Sequence, residues 1–161
     1  MPLELFAHIA GAHDDVAFSL DDSPDDARWY SGTETRALQA TVIFGQARHH
    51  LMKELNEKGC GRGFLPIPDG EDDKAFIKAM DEPDSGYSTE QYVDVMLRSI
   101  AKVLTRKKGH SIGILVIDAP ISAEYMREEV VNSLPDLLIG RGLAIDAVAY
   151  LVNRDKCIRL S

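Results

Sequence analysis

The chain has 161 residues, 45% of them apolar, and a formal net charge of −8 at pH 7. A chain of this length buries most of its unfolded surface in one core, so a single compact α/β domain over residues 1–161 is expected, with no need for a metal or disulfide staple. Its most apolar run, residues 112–117, falls far short of the roughly 20 residues that cross a bilayer, which excludes membrane-span functions for that run.

The charge is uneven. Residues 1–34 carry Glu4, Asp14, Asp15, Asp21, Asp22, Asp25, Asp26 and Glu34 against Arg28, a local balance of −7. Carboxylates at this density repel phosphates, so direct nucleic-acid binding is not expected at the N-terminal face, whereas a basic protein partner suits it. Cys60 and Cys157 lie far apart without a CxxC or Cys/His spacing and read as free thiols. The first eight residues lack the basic start and unbroken apolar run of a secretory leader, so a cytoplasmic setting is expected.

In chain order, residues 3–9 alternate in polarity and predict a strand, and Val16, Phe18 and Leu20 repeat the pattern, so an N-terminal β-hairpin is expected. Residues 21–32 read as an irregular acidic loop pinned by Trp29 and Tyr30. Ser31 and Glu34 have capping-box spacing, and Ala40, Phe44, Ala47, Leu51 and Leu55 carry an apolar stripe to Gly59, predicting one long helix from Ser31 onward. A Gly- and Pro-containing connection, residues 59–70, leads to a short helix over 71–80. Ser88 and Gln91 repeat the capping box at the head of a second long amphipathic helix that ends in Arg106, Lys107 and Lys108. Residues 112–117 have no polar face and predict the sheet's central strand. Ser122 can cap a helix, Pro135 starts a further segment, residues 145–152 form a second parallel strand, and residues 157–160 a final antiparallel one. The fold expected is a mixed-sheet α/β domain: N-terminal hairpin, two long helices, a buried parallel β-α-β unit and a last antiparallel strand.

Ligands of open α/β sheets gather beyond the carboxyl ends of parallel strands, where Asp118 falls. Asn153, Arg154 and Asp155 leave the next strand at the same edge, and Ser122 lies alongside. Asp118, Asn153 and Asp155 are therefore candidate Mg²⁺ ligands for a metal-dependent hydrolase of phosphodiesterase type. Without turnover, the same edge would serve a small-ligand sensor.

Pro68-Asp69 followed by Asp72-Asp73-Lys74 resembles the PD-(D/E)xK pattern of magnesium-dependent nucleases. That chemistry places its acid and its D/E-x-K group on adjacent strands, and here the pieces are nearly contiguous in a loop, so the resemblance is set aside. Residues 58–63 resemble a phosphate loop but follow a helix instead of leading into one. His49 and His50 are neighbours and face different directions, and His8 and His13 read as boundary positions. No GxSxG elbow or HExxH motif is present. The leading functional expectation is a non-enzymatic interaction or inhibitory, immunity-like module. Asp14, Asp15, Asp21, Asp22, Asp25 and Asp26 are its partner-binding residues.

Overall fold

The structure, a computed structural model, describes residues 2–9, 16–19, 26–83, 86–107, 113–119, 135–136, 138–140, 142, 148–153 and 156–160. In chain order these form α1 (Pro2–Ile9), β1 (Val16–Phe18), β2 (Ala27–Ser31), β3 (Glu34–Val42), α2 (Gly45–Lys58), α3 (Asp73–Asp81), α4 (Thr89–Lys107), β4 (Ile114–Asp118), β5 (Val148–Asn153) and β6 (Lys156–Arg159). One six-stranded sheet runs in the order β1-β2-β3-β4-β5-β6. Pairing is antiparallel for β1–β2, β2–β3 and β5–β6 and parallel for β3–β4 and β4–β5, so the protein is α/β with a mixed sheet. The chain divides into two compact units, one of Met1–Val42 with Leu104–Ser161 and the other of Ile43–Val103.

In the sheet unit, β4 is central, as its unbroken apolar run implies: Ile114, Leu115, Val116 and Ile117 are all buried. On one face Leu3 and Phe6 of α1 pack with Ala27, Leu38, Ile114, Val116 and Val152. Phe6 meets Trp29 edge-on at 6.0 Å and Tyr150 at 5.0 Å. Gly113 enters β4 so close to β3 that a Cβ there would stand 2.9 Å from the Ala37 carbonyl oxygen, which demands glycine.

Two expected elements are corrected. Residues 3–9 form helix α1, not a strand; the buried side chains Leu3, Phe6 and Ala7 follow i, i+3, i+4 spacing, which the superficial alternation concealed. The N-terminal hairpin is built instead from β1 and β2. The helix expected from Ser31 begins only at Gly45. Ser31 pairs with Glu34 across a two-residue hairpin turn in which Gly32 takes φ 61°, the positive value a tight primed turn needs at its first central residue. β-Branched Thr35, Thr41 and Val42 then favour the extended β3. The apolar spacing that continued across residues 40–55 joined two elements of different kind.

In the helical unit, α2 ends as expected at Gly59, whose φ is 71° and whose amide donates to the Leu55 carbonyl at 2.9 Å. The start of α2 is unusual. Phe44 holds a left-handed backbone, φ 62° and ψ 19°, a conformation costing a non-glycine residue about 1–2 kcal/mol. Its buried ring lies 6.0 Å from each of Phe64 and Tyr92, contacts that offset the strain. α3 and α4 lie where expected. At the head of α4 the Ser88 amide donates to Gln91 Oε1 at 2.9 Å and the Gln91 amide to Ser88 Oγ at 3.3 Å, a complete capping box.

Candidate functional site

The parallel register pairs Asp118 of β4 with Val152 of β5, and the Ala119 amide continues the ladder to the Val152 carbonyl at 2.9 Å. Asp118 and Asn153 therefore end neighbouring strands at one sheet edge. Asp118 is half-buried and already engaged with other groups. Asp155, Arg154 and Ser122 lie outside the described residues. Among the described residues no three His, Cys, Asp or Glu side chains gather as a metal-holding group. The edge thus unites two of the three expected Mg²⁺ ligands in backbone position.

Of the six expected partner-binding aspartates, Asp26 is described, and Asp14, Asp15, Asp21, Asp22 and Asp25 lie outside the described residues. Asp26 is exposed at the head of β2, where its Oδ2 accepts from the Ala40 amide at 2.7 Å. This acid carries a structural bond as well as charge.

Asp69 and Asp72 of the helical unit are helix caps. Asp69 Oδ2 and Oδ1 accept from the amides of Gly45 and Gln46, each at 3.1 Å, and supply the cap that Phe44 lacks. Gln46 pins the same loop through the Gly70 amide and the Glu71 carbonyl. Asp72 caps α3 by accepting from the Lys74 amide at 3.1 Å. Asp73 lies 3.4 Å from His50 Nε2, and the His50 ring stacks on Phe76 at 5.0 Å. Asp69 and Asp72 therefore serve helix starts, and Asp73 faces His50.

The glycine-rich loop after α2 has its own purpose. Arg62 donates to the carbonyls of Ala79 and Met80 at 2.8 and 2.7 Å, closing the C-terminal end of α3. The same guanidinium lies 3.6 Å from the buried Glu54, which also accepts from Lys58 Nζ at 3.2 Å. The Lys58 hydrogen bond, with the Arg62 amide bond and both nearby cations, holds the Glu54 carboxyl below its ordinary range against the opposing effect of burial. Glu54, not Leu55, is the buried residue at this end of α2; Leu55 is exposed. Glu90 is likewise lowered, chiefly by its hydrogen bond with Ser88. Cys60 and Cys157 are both free, Cys60 exposed and Cys157 half-buried, and burial pushes the Cys157 thiol up.

One surface was missed in the sequence. Register places Arg28 and Tyr30 of β2 opposite Ala37 and Thr35 of β3, on the face turned away from α1. Gln39 and Thr41 continue that face by strand alternation. The last turn of α4 reaches it: Lys107 Nζ donates to Gln39 Oε1 at 2.9 Å and Arg106 Nη2 to Thr41 Oγ1 at 3.3 Å. In the sequence, Arg106 and Lys107 read only as the cations favoured at a helix C-terminus.

Among the described residues no helix is long and apolar enough to cross a membrane. No protein-family model, no curated protein and no solved structure matches the chain.

Proposed function

We propose that the chain is a non-enzymatic protein-interaction module, inhibitory or immunity-like, that offers its acidic N-terminal segment to a basic protein in the cytoplasm. The observation that carries this reading is the balance of −7 within residues 1–34, against −8 for the whole chain. Such a field accelerates encounter with a cationic surface and disfavours acidic competitors. Anchoring of Asp26 to β3 supports it further, because one acid of the segment is held in fixed register with the sheet.

Co-purification from the native host tests the proposal. A basic protein is expected to be retained at about 0.05 M salt and released at about 0.5 M, where screening confines charge effects to a few ångströms. Replacing Asp14, Asp15, Asp21, Asp22 and Asp25 by Asn should abolish retention. Equal retention by the wild type and this variant would overturn the reading.

A second reading is a metal-dependent hydrolase binding Mg²⁺ at Asp118, Asn153 and Asp155, supported by the adjacency of the β4 and β5 ends. Calorimetric titration with Mg²⁺ should then show binding that Asp118→Asn removes.

A further inference from the structure

We propose that the outer face of β2 and β3 binds single-stranded nucleic acid. Four residues of β3, Thr35, Ala37, Gln39 and Thr41, form a strip about 20 Å long at roughly 3.3 Å per residue. Tyr30 stands at one end, 44% exposed, and the exposed Arg28 lies beside it on the same face. Lys107 and Arg106 lie at the other end, held on Gln39 and Thr41.

The partners of these two cations are neutral groups. Lys58, Arg98 and Arg36 each sit within 3.2 Å of a carboxylate, on Glu54, Asp94 and Glu34. Arg106 and Lys107 bond to a hydroxyl and an amide oxygen, and neither forms an ion pair with a carboxylate among the described residues. Among the described residues, two positive charges are thus positioned beside neutral partners. Asp26 borders the strip, with one carboxylate oxygen bonded to the Ala40 amide.

Cations for phosphates, an open phenol ring for a base, and the exposed Thr35 hydroxyl beside that ring are elements of single-strand recognition on a sheet surface. A duplex is the poorer occupant, because β2 and β3 are flanked by β1 and β4 and so form no free ribbon that could enter a groove. The summed charge of residues 1–34 disfavours nucleic acid at the N-terminal face. β2 belongs to that stretch, but strand alternation and the arrival of α4 collect cations on one side of it. Repulsion from the acidic segment keeps the affinity modest and restricts it to low salt.

Fluorescence anisotropy of the full chain with a labelled oligothymidylate, titrated between about 0.02 and 0.2 M NaCl, tests this. Saturable binding is expected, with log K falling against log salt at a slope of about −1.4 for two phosphate contacts on a single strand. Arg106→Gln with Lys107→Gln should weaken binding at least about 10-fold and flatten that slope. Tyr30→Ala, at an exposed position, should weaken it several-fold with the slope unchanged, providing a readout independent of how the double variant folds. Lys53→Gln with Lys78→Gln, an equal loss of charge elsewhere, should change nothing. Absence of binding at the lowest salt, equal loss in the control pair, or tighter binding of a duplex of the same length would overturn the proposal. None of these results bears on capture of a basic protein by the acidic segment.

Discussion

Asp26 and Ala40 are joined by a bond that a backbone carbonyl would otherwise make. The β2–β3 ladder runs to the pair Ala27 and Leu38, and the Asp26 amide donates to the Leu38 carbonyl at 3.0 Å. One step beyond, Asp26 Oδ2 accepts from the Ala40 amide at 2.7 Å, so a side chain supplies the last rung. Asp26→Ala should cost about 1 kcal/mol in urea unfolding, and Asp26→Asn, which keeps an acceptor, less than half of that. Equal stability of the wild type and Asp26→Ala would mean that solvent replaces the bond at no loss.

Asp69 caps α2 from a loop distant in sequence, through two amides at once. Removal of such a cap typically costs about 1–2 kcal/mol, so Asp69→Ala should lower the thermal midpoint clearly, and Asp69→Asn should recover much of the loss. Circular dichroism melts of the three proteins provide the comparison.

Glu54 sets an acid limit on the helical unit. Its carboxyl is depressed below 4.5, the ordinary value that the unfolded chain retains. The folded state therefore releases this proton more readily, and the resulting stabilisation is present above that value and is lost as pH falls through the depressed one. Glu54→Gln should be less stable than the wild type at pH 7, and the difference should shrink as pH falls below 4.5 and through the depressed value. Parallel stability curves for the two proteins across that range would exclude the linkage.

The central strand should be the most sensitive part of the sheet. Ile117 is fully buried in β4, between β3 and β5. Ile117→Ala should cost about 2–5 kcal/mol from lost burial and the cavity left behind, enough to threaten folding of a domain of ordinary stability. Denaturant midpoints, with Ile117→Val as the mild comparison, measure this.

The two thiols should separate by rate. Cys60 is exposed, whereas Cys157 is half-buried with its thiol raised above 9.0. Since the thiolate is the reacting species, iodoacetamide at pH 8 should label Cys60 well before Cys157 in the native protein. In denaturant the rates should converge, as mass spectrometry of timed samples would show.

Legibility in the sequence followed how local the determining physics was. The Ser88–Gln91 box, the Gly59 terminator and the apolar run of β4 each depend on residues close in sequence, and each occurs where the pattern places it. The residues before Gly45 misled because Ala40, Phe44 and Ala47 keep helical spacing across a change from strand to helix; Gly32 and the β-branched residues of β3 were the contrary signal. For the sites, the edge shared by Asp118 and Asn153 followed from the parallel crossover alone. The meeting of Arg106 and Lys107 with Gln39 and Thr41 spans more than sixty residues, and nothing in either segment announces the other. The cap supplied by Asp69 was hidden for the same reason.

The sheet's strands follow one another in space in the order in which they occur in the chain. During synthesis each new strand can therefore dock on the free edge of the strand made before it, and no existing pair must open to admit a latecomer. The long pause falls between β3 and β4, while Ile43–Val103 emerges. For that interval β3, 9 residues long, lacks the β4 that pairs with it in the full chain. Among the described residues the edges of the sheet are β1 and β6, of 3 and 4 residues. Synthesis thus passes through one stage at which a 9-residue strand awaits its parallel partner.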